Sequence, residues 1–260
     1  MQNKVYFIGA GPGDPELITL KAYRLIQQAK VIIYAGSLVN EQILDFAPKQ
    51  AEFFNSAKMT LNEIIAVIKE SFSAGKRVIR LHTGDPSLYG AIYEQMLELD
   101  KLNIPYEIIP GVTSLFAATA KLQVELTAPQ LAQTVTISRV AGKTKVPANE
   151  TLEKLASHGG TFVFYLSAQK ASQITEAFLR QGWGPKTPVA ICYKVTWQEE
   201  KIIKTTLADL PTTMAQAGLS KHLLLIVGKV LDKTRIQEYS RLYAQDFAHE
   251  YRSSHHCPHP

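Results

Sequence analysis

The sequence has few cysteines and no long apolar run. Only Cys192, inside an apolar segment, and Cys257, near the end, occur in 260 residues. Two cysteines do not suggest a disulfide framework, so we expect a reducing compartment, the cytoplasm. No apolar run approaches the roughly 20 residues of a membrane-spanning helix. An apolar segment begins at Val5, which leaves no space for a signal peptide. We therefore expect no membrane partner.

The chain also lacks the patterns of several common functions. Its net charge is +5, but Lys and Arg are scattered without interleaved aromatic residues, so we expect no nucleic-acid partner. It has no phosphate-binding loop, no Ser/His/Asp arrangement and no His or Cys pair at metal-ligand spacing. The three histidines of the last eight residues are interpreted as part of a disordered end. We therefore expect no metal site.

What the sequence does contain is an alternation of strand and helix patterns. A hydrophobic content of 46% is typical of a globular protein, and the length suits one large or two modest domains. From Val5 to Ile109, strands alternate with helices, which indicates a parallel sheet with right-handed crossovers. The alternation breaks around residues 124–129. We therefore predict an N-terminal domain over residues 1–123, a C-terminal domain over 124–252 and a disordered tail over 253–260.

The first strand runs directly into a loop rich in glycine and proline, Gly9-Ala10-Gly11-Pro12-Gly13-Asp14-Pro15. This loop partly matches the dinucleotide fingerprint G-x-G-x-x-G, but Asp14 occupies the third glycine position. Pro12 and Pro15 lack the N–H groups that would bind a pyrophosphate, and an acidic residue before a helix repels phosphate. The pattern therefore disfavours an NAD-dependent oxidoreductase, which is one alternative class of function.

Two further strand ends carry similar loops, over residues 83–90 and 110–114. Glycine and proline in any single loop indicate no more than a turn. Because the carboxyl ends of parallel strands share one edge of a sheet, the three loops together predict a ligand cleft there. Asp14 and Asp85 favour a neutral or cationic ligand. His82 is isolated in the sequence and is interpreted as a structural residue.

The three loops together resemble the tetrapyrrole methylases. The matching motifs are Gly9-Ala10-Gly11-Pro12-Gly13-Asp14-Pro15, Gly84-Asp85-Pro86-Ser87-Leu88-Tyr89-Gly90 and Pro110-Gly111-Val112-Thr113-Ser114. Three shorter motifs, Tyr34-Ala35-Gly36-Ser37-Leu38-Val39, Arg80-Leu81-His82-Thr83 and Ser138-Arg139-Val140, look like the branch that methylates C11 of precorrin-4. The resemblance implies two α/β domains, each with a mostly parallel or mixed sheet flanked by helices and with the cofactor cleft between them. It also implies a homodimer, for which an aromatic side of a helix predicted over residues 232–251 is a candidate surface.

The resemblance further implies S-adenosylmethionine as cofactor, S-adenosylhomocysteine as product and a polycarboxylate tetrapyrrole as substrate. Asp85 and Tyr89 are candidates for managing a proton. Cations that could bind the substrate carboxylates are Lys58, Arg139, Lys143 and Lys145. The cofactor-binding positions that it implies are Pro12, Thr83, Gly84, Asp85, Leu88, Thr113, Ser114, Leu166, Lys194, Val195 and Leu223.

The resemblance implies methylation of precorrin-4 or cobalt-precorrin-4 at C11 in cobalamin biosynthesis. The alternatives are another tetrapyrrole methylase, acting at C20 of precorrin-2, at C17 of precorrin-3 or on uroporphyrinogen-III, or a non-catalytic module that binds the cofactor or a tetrapyrrole.

Overall fold

The computed structural model describes residues 4–36, 38–142 and 144–235, together with residues 240, 244, 247, 248, 250 and 251. The chain forms two compact units. The first contains the chain up to Lys121 and also the later segment Tyr193–Lys201, and the second contains Leu122–Cys192 and the chain from Ile202 onwards. The domain predicted over residues 124–252 includes Tyr193–Lys201, which the structure groups with the first unit. The predicted tail over 253–260 lies outside the described residues.

The first unit is built on a five-stranded parallel sheet. Its strands lie in the order β3-β2-β4-β1-β5, and all four neighbouring pairs run parallel. The carboxyl ends of all five strands therefore share one edge, and the ends of β4, β1 and β5 are neighbours there. The bounds of these strands are Val5–Gly9 for β1, Val31–Tyr34 for β2, Glu52–Asn55 for β3, Val78–His82 for β4 and Tyr106–Ile109 for β5.

Four α-helices accompany this sheet, and their starts follow the capping residues of the sequence. The Thr19 hydroxyl accepts the N–H of Ala22 at the start of α1, and Thr60 and Glu63 form the predicted capping box of α2. Short 3₁₀ helices cover Pro15–Leu17, Glu41–Phe46 and Ser56–Lys58. The α-helices are α1 Leu20–Ile26, α2 Leu61–Ser73, α3 Tyr93–Lys101 and α4 Ser114–Leu122.

Successive strand residues bury opposite faces of the sheet. Ile8 and Ile32 pack with α1 residues on one face, while Phe7 and Ile33 pack with α2 and α3 residues on the other. Because both faces are covered, the central strands are almost continuously apolar, as expected for a parallel sheet. This packing fixes the strand ends that carry the three loops.

The second unit has a mixed five-stranded sheet in the order β6-β7-β10-β8-β9. β6 runs parallel to β7, whereas β10 runs antiparallel to it. All five residues of β10 are buried, as its uninterrupted apolar sequence predicts. The strands are β6 Val135–Arg139, β7 Thr161–Tyr165, β8 Pro188–Tyr193, β9 Lys201–Thr206 and β10 Leu223–Val227, and the α-helices are α5 Leu152–Ala156, α6 Ala171–Arg180 and α7 Leu210–Ala217.

Half of the helix predicted over residues 232–251 lies outside the described residues. Among the described residues of this range, Lys233–Arg235 form a short 3₁₀ helix and the others are not helical, so the prediction of a long helix is wrong there. Within the described part of the chain, no helix has both the length and the apolar character needed to cross a membrane.

Candidate active site

The three loops at the carboxyl edge of the first sheet touch one another through their backbones. A Cβ atom on Gly9 would lie 2.5 Å from the Gly84 carbonyl oxygen and 2.6 Å from the Gly111 Cα atom. A Cβ atom on Gly111 would lie 2.2 Å from the same Gly84 oxygen. Side chains do not tolerate such distances, so glycine at positions 9 and 111 lets the loops meet. The convergence expected from the strand pattern is therefore present.

Hydrogen bonds join these loops as well. The Gly11 N–H donates to the Gly84 carbonyl at 3.3 Å, and the Gly84 N–H donates to the Gly11 carbonyl at 2.8 Å. Asp85 links the second loop to the third, because its Oδ2 accepts the Gly111 N–H at 2.9 Å while its Oδ1 accepts the Ser87 N–H at 2.8 Å. Both carboxylate oxygens of Asp85 thus hold backbone, a role that sequence reasoning did not assign.

The opening loop is also held from two other directions. The Trp197 Nε1–H donates to the Pro12 carbonyl at 2.9 Å, and the Asn40 side-chain amide donates to the Gly13 carbonyl at 2.8 Å. The Asp14 N–H donates to the Thr196 hydroxyl at 2.9 Å. The loop conformation is therefore set by three side chains that sequence reasoning did not select.

The backbone N–H groups of this loop limit the kind of ligand that it can bind. The N–H groups of Gly11 and Asp14 are used within the protein, and the two prolines have none. A pyrophosphate cradle needs several free N–H groups that point at the ligand. The loop is thus suited to close backbone approach to a ligand and poorly suited to a phosphate group, in line with the prediction from its prolines.

Asp14 has a local structural role. Its Oδ1 accepts the Glu16 N–H at 2.9 Å, which caps the 3₁₀ helix Pro15–Leu17. The negative charge of this residue favours a cationic ligand when the sequence is considered alone. Because the carboxylate caps a helix, its presence in the loop has a structural explanation that needs no ligand.

The second loop holds backbone conformations that L-residues rarely adopt. Tyr89 in the loop has a φ of 55° and Ala91, which directly follows the loop, a φ of 49°, both in the left-handed region. Such strain persists where surrounding structure enforces it, and it is concentrated at binding sites. Tyr89 is 42% exposed, so its ring is accessible at this edge. Thr83 and Leu88 of the same loop are half-buried.

The third loop leads into α4, which begins at Ser114. The Thr113 carbonyl accepts the N–H groups of Phe116 and Ala117 in the first turn of this helix. Both predicted contact residues of the third loop, Thr113 and Ser114, therefore lie at a helix start beside the other two loops, since a Cβ atom on Gly84 would lie 3.7 Å from the Thr113 Cα atom. The first unit thus assembles seven of the predicted cofactor positions, namely Pro12, Thr83, Gly84, Asp85, Leu88, Thr113 and Ser114.

Lys194 and Val195 follow β8 and belong to the first unit. The Lys194 ammonium donates to the Glu199 carboxylate at 2.7 Å, which raises the pKa of Lys194, and it lies 5.4 Å from the centre of the Trp197 ring. Val195 is buried. The ammonium group of Lys194 therefore has a protein partner, and its backbone, with a φ of 42°, is strained.

The two remaining predicted cofactor positions lie in the second unit. Leu166 follows β7 directly, has a φ of 52° and leaves 70% of its surface exposed. Backbone held in the left-handed region is found preferentially at functional sites. Leu223 begins β10 and is buried.

The predicted carboxylate-binding cations are not gathered in one place. Lys58 is exposed and ends the 3₁₀ helix that follows β3, an edge strand of the first sheet. Arg139, in the second unit, donates from its guanidinium to the Thr144 carbonyl at 3.2 Å and to the Lys145 carbonyl at 2.8 Å. Arg139 therefore shapes its own loop. Lys145 is exposed, and Lys143 lies outside the described residues.

A buried cation and a buried imidazole lie at the end of β4, just before the second loop. Arg80 donates to the Gln95 side chain at 3.0 Å and to two backbone carbonyls, and burial lowers its pKa to about 10. His82 is 3% exposed, and burial, together with the charge of Arg80, lowers its pKa to about 3 despite a hydrogen bond with the Gly90 backbone. Among the described residues its Nε2 has no hydrogen-bond partner. His82 is thus neutral at pH 7, and its interpretation as a structural residue stays a prediction.

Comparison with known proteins places this architecture in a family. The family model for the Tetrapyrrole (Corrin/Porphyrin) Methylases matches residues 4–211. A relative from Methanocaldococcus jannaschii, named cobalt-precorrin-4 C(11)-methyltransferase, is 50% identical over 97% of this chain and 97% of its own length.

Solved structures agree with this assignment. The X-ray structure of a cobalt-precorrin-4 methyltransferase, a cobalamin biosynthetic enzyme, has a TM-score of 0.86 and 44% identity and covers 88% of this chain and 96% of its own. A uroporphyrin-III C-methyltransferase from Thermus thermophilus, complexed with S-adenosylhomocysteine, has a TM-score of 0.73 and 31% identity over 88% of this chain and 94% of its own. This chain belongs to the tetrapyrrole methylase family.

Proposed function

We propose that this protein is an S-adenosylmethionine-dependent C-methyltransferase that methylates C11 of precorrin-4, or of cobalt-precorrin-4, in cobalamin biosynthesis. The observation that carries the proposal is the set of three loops that contact one another at one sheet edge. A relative named for this reaction is highly identical to this chain over almost its full length. This similarity favours C11 methylation over methylation of uroporphyrinogen-III, since the methyltransferase named for that substrate is less similar to this chain.

The residues of the first unit suit S-adenosylmethionine. This cofactor carries a sulfonium cation and no phosphate, and the opening loop has the N–H groups of Gly11 and Asp14 already engaged. Close approach of backbone at Gly9, Gly84 and Gly111 brings the main chains of the three loops together at this edge. Pro12, Thr83, Gly84, Leu88, Thr113 and Ser114 are the proposed contacts of the cofactor, with Lys194 and Val195 beside them. Leu166 and Leu223 remain predictions of the resemblance.

S-adenosylmethionine would supply an electrophilic methyl group on its sulfonium sulfur, for transfer to an electron-rich ring carbon of the substrate. The contribution of the protein is to align the two partners and exclude water. Alignment alone can account for about 7–11 kcal/mol of a barrier. A rigid set of loops, held by the bonds from Asn40, Trp197 and Asp85, is the structural requirement for such alignment.

The roles of Asp85 and Tyr89 separate on structural grounds. Each oxygen of the Asp85 carboxylate accepts a backbone N–H, so we assign Asp85 to holding the second and third loops together. Tyr89 has an accessible ring on a strained backbone and remains the candidate for managing a proton.

The substrate is a polycarboxylate, and exposed cations supply charge-assisted hydrogen bonds to such groups. Lys58 and Lys145 are exposed, whereas Arg139 already donates to its own loop. We therefore rank Lys58 and Lys145 above Arg139 as carboxylate ligands, and Lys143 remains a candidate from the sequence alone. A homodimer and a cytoplasmic location remain expectations from the sequence.

The proposal is tested by incubating the protein with S-adenosylmethionine carrying a ¹³C-labelled methyl group and, in separate reactions, with precorrin-4, cobalt-precorrin-4, precorrin-2 and uroporphyrinogen-III. We expect NMR to locate one new labelled methyl group on C11 of precorrin-4 or its cobalt form. Label on a different carbon, or only in the other two substrates, would contradict the proposed substrate.

Calorimetric titration tests the cofactor separately from the methyl acceptor. We expect S-adenosylhomocysteine to bind and NAD to show no binding. Binding of S-adenosylhomocysteine without turnover of any tetrapyrrole would identify a non-catalytic module, whereas binding of NAD alone would contradict the assignment of the cofactor.

A further inference from the structure

The segment between β8 and β9 belongs to the first unit and packs on the opening loop. We call Tyr193–Lys201 the strap. Two consecutive strap residues bond to the loop, since the Trp197 Nε1–H donates to the Pro12 carbonyl and the Thr196 hydroxyl accepts the Asp14 N–H, each at 2.9 Å. The strap therefore fixes the loop on either side of Gly13.

The strap also packs closely against the loop at Gly13. A Cβ atom on Gly13 would lie 2.3 Å from Cδ1 and from Nε1 of the Trp197 indole ring and 2.9 Å from the Thr196 hydroxyl oxygen. Only a residue without a side chain leaves room for the indole ring at this place. Gly13 of the loop and Trp197 of the strap thus pack directly against each other.

The strap is itself held in a constrained conformation. Lys194 and Thr196 have φ values of 42° and 71°, in the left-handed region that a β-branched residue such as threonine avoids. The Thr196 N–H donates to the Glu200 carboxylate at 2.6 Å, and that carboxylate also lies 3.4 Å from the Lys121 ammonium in α4. Backbone strain enforced by surrounding bonds is characteristic of functional positions.

Trp197 is half-buried and lies outside the two described clusters of buried apolar side chains that cover the faces of the first sheet. Its bonds instead reach the loop whose backbone faces the proposed cofactor. This placement suggests that Trp197 serves the conformation of the loop more than the stability of the core.

We propose that Trp197 is a positioning residue for the cofactor. With the Thr196 hydroxyl, its indole N–H sets the conformation of residues 12–14, and the loop presents Pro12 to S-adenosylmethionine in that conformation. The inference rests on the proposed function, because it takes the opening loop to be a cofactor-binding loop.

The chain offers a matched control, because it has two tryptophans. Trp183 in the second unit is also half-buried and donates from Nε1 to a backbone carbonyl, that of Ala156, at 2.8 Å. Trp197→Phe and Trp183→Phe therefore each remove one indole hydrogen bond of the same kind while keeping an aromatic ring. Calorimetric titration of both variants and the wild type with S-adenosylhomocysteine compares the two bonds.

We expect Trp197→Phe to weaken S-adenosylhomocysteine binding about three- to tenfold, the effect of one neutral hydrogen bond, and Trp183→Phe to bind as the wild type does. Each variant also retains a single tryptophan. Binding should change the fluorescence of Trp197 in Trp183→Phe and leave that of Trp183 in Trp197→Phe unchanged, a signature that a purely structural role would not produce.

Equal affinities of Trp197→Phe and the wild type would overturn the inference while leaving the proposed cofactor intact. Failure of the wild type to bind S-adenosylhomocysteine would overturn both. If Trp197→Phe does not fold, Thr196→Val carries the same test, because it removes the acceptor of the Asp14 N–H and keeps the shape of the side chain. We expect a two- to tenfold weaker affinity, on the order of one hydrogen bond, and an unchanged affinity would again overturn the inference.

Discussion

The bond pattern of Asp85 leads to a prediction that separates a structural role from a catalytic one. In Asp85→Asn, one of the two acceptor oxygens becomes an amide NH₂ group, which cannot accept the N–H of Ser87 or Gly111. One backbone N–H therefore loses its acceptor and faces another donor. The loss falls either within the second loop or between the second and third loops.

The magnitude follows from the bond that is lost. A hydrogen bond to a charged acceptor contributes about 1.5–3 kcal/mol, and the partial exposure of Asp85 favours the lower end of that range. We therefore expect Asp85→Asn to lower the free energy of unfolding of the first unit by about 1.5–2 kcal/mol. Asp14→Asn is the matched control, because the amide oxygen can keep the bond from the Glu16 N–H. We expect it to change that free energy by less than about 0.5 kcal/mol.

Urea unfolding in the Trp183→Phe background measures this difference, since the fluorescence then comes from Trp197 alone, which lies in the first unit. The pH profile of methyl transfer supplies the second measurement. A residue that holds loops lowers the rate at every pH without moving the profile, whereas a residue that transfers a proton changes the limb that it controls. An Asp85→Asn variant that is as stable as the wild type but has an altered pH profile would refute the structural assignment.

Three further predictions test the loops, the buried histidine and the substrate cations. Gly9→Ala places a Cβ atom against the backbone of both neighbouring loops and should lower the free energy of unfolding by about 1–3 kcal/mol or more. Gly142→Ala is the control and should be near neutral, because a Cβ atom there has nothing within 4 Å. Equal stabilities of the two variants in urea unfolding would contradict the contact between the loops. Burial lowers the pKa of His82 to about 3 in the folded state, whereas the unfolded chain has the ordinary value of about 6.5. Between these two pH values only the unfolded chain binds a proton at this residue. The free energy of unfolding therefore falls as the pH drops below about 6.5, by at most about 1.4 kcal/mol per pH unit. His82→Gln should remove this part of the acid sensitivity between pH 7 and pH 5, and an unchanged pH dependence of its unfolding would show that the imidazole titrates normally. Lys58→Ala and Lys145→Ala should each weaken substrate binding about two- to fivefold at low salt and less at high salt. The affinity for S-adenosylhomocysteine should not change. A loss of substrate affinity that does not depend on salt would argue against an ionic contact.

The part of the site that the sequence predicts is the part fixed by local pattern and by the rules of parallel sheets. Each glycine- and proline-rich loop follows an apolar strand, and parallel strands bring their carboxyl ends to one edge. The strand order then places β4, β1 and β5 side by side, so the loops at Gly9, Gly84 and Gly111 meet. The helix starts at Thr19 and Thr60 are likewise local signals and are confirmed.

The partners of individual side chains were beyond sequence reasoning. Trp197 contacts Pro12 across 185 residues of chain, and nothing near Trp197 in the sequence indicates this contact. The strap was instead assigned with the C-terminal domain. A charged residue shows the same limit, because the sequence does not indicate that the Arg139 guanidinium donates to the carbonyls of Thr144 and Lys145 in its own loop. A charge in a sequence gives its sign, and only the fold gives its partner.

The structure also changes the reason why the opening loop suits a cofactor without phosphate. In the sequence, the negative charges of Asp14 and Asp85 favour a cationic ligand, yet both carboxylates accept backbone N–H groups within the loops. The hydrogen-bond donors of the loop give a more direct reason. Two prolines remove two N–H groups, and the N–H groups of Gly11 and Asp14 are bound to Gly84 and Thr196. A phosphate would have to displace these internal bonds before it could bind the same N–H groups. Neutralising Asp14 alone therefore does not supply the donors that a dinucleotide needs, because the N–H groups of Gly11 and Asp14 keep their internal partners and the two prolines have none.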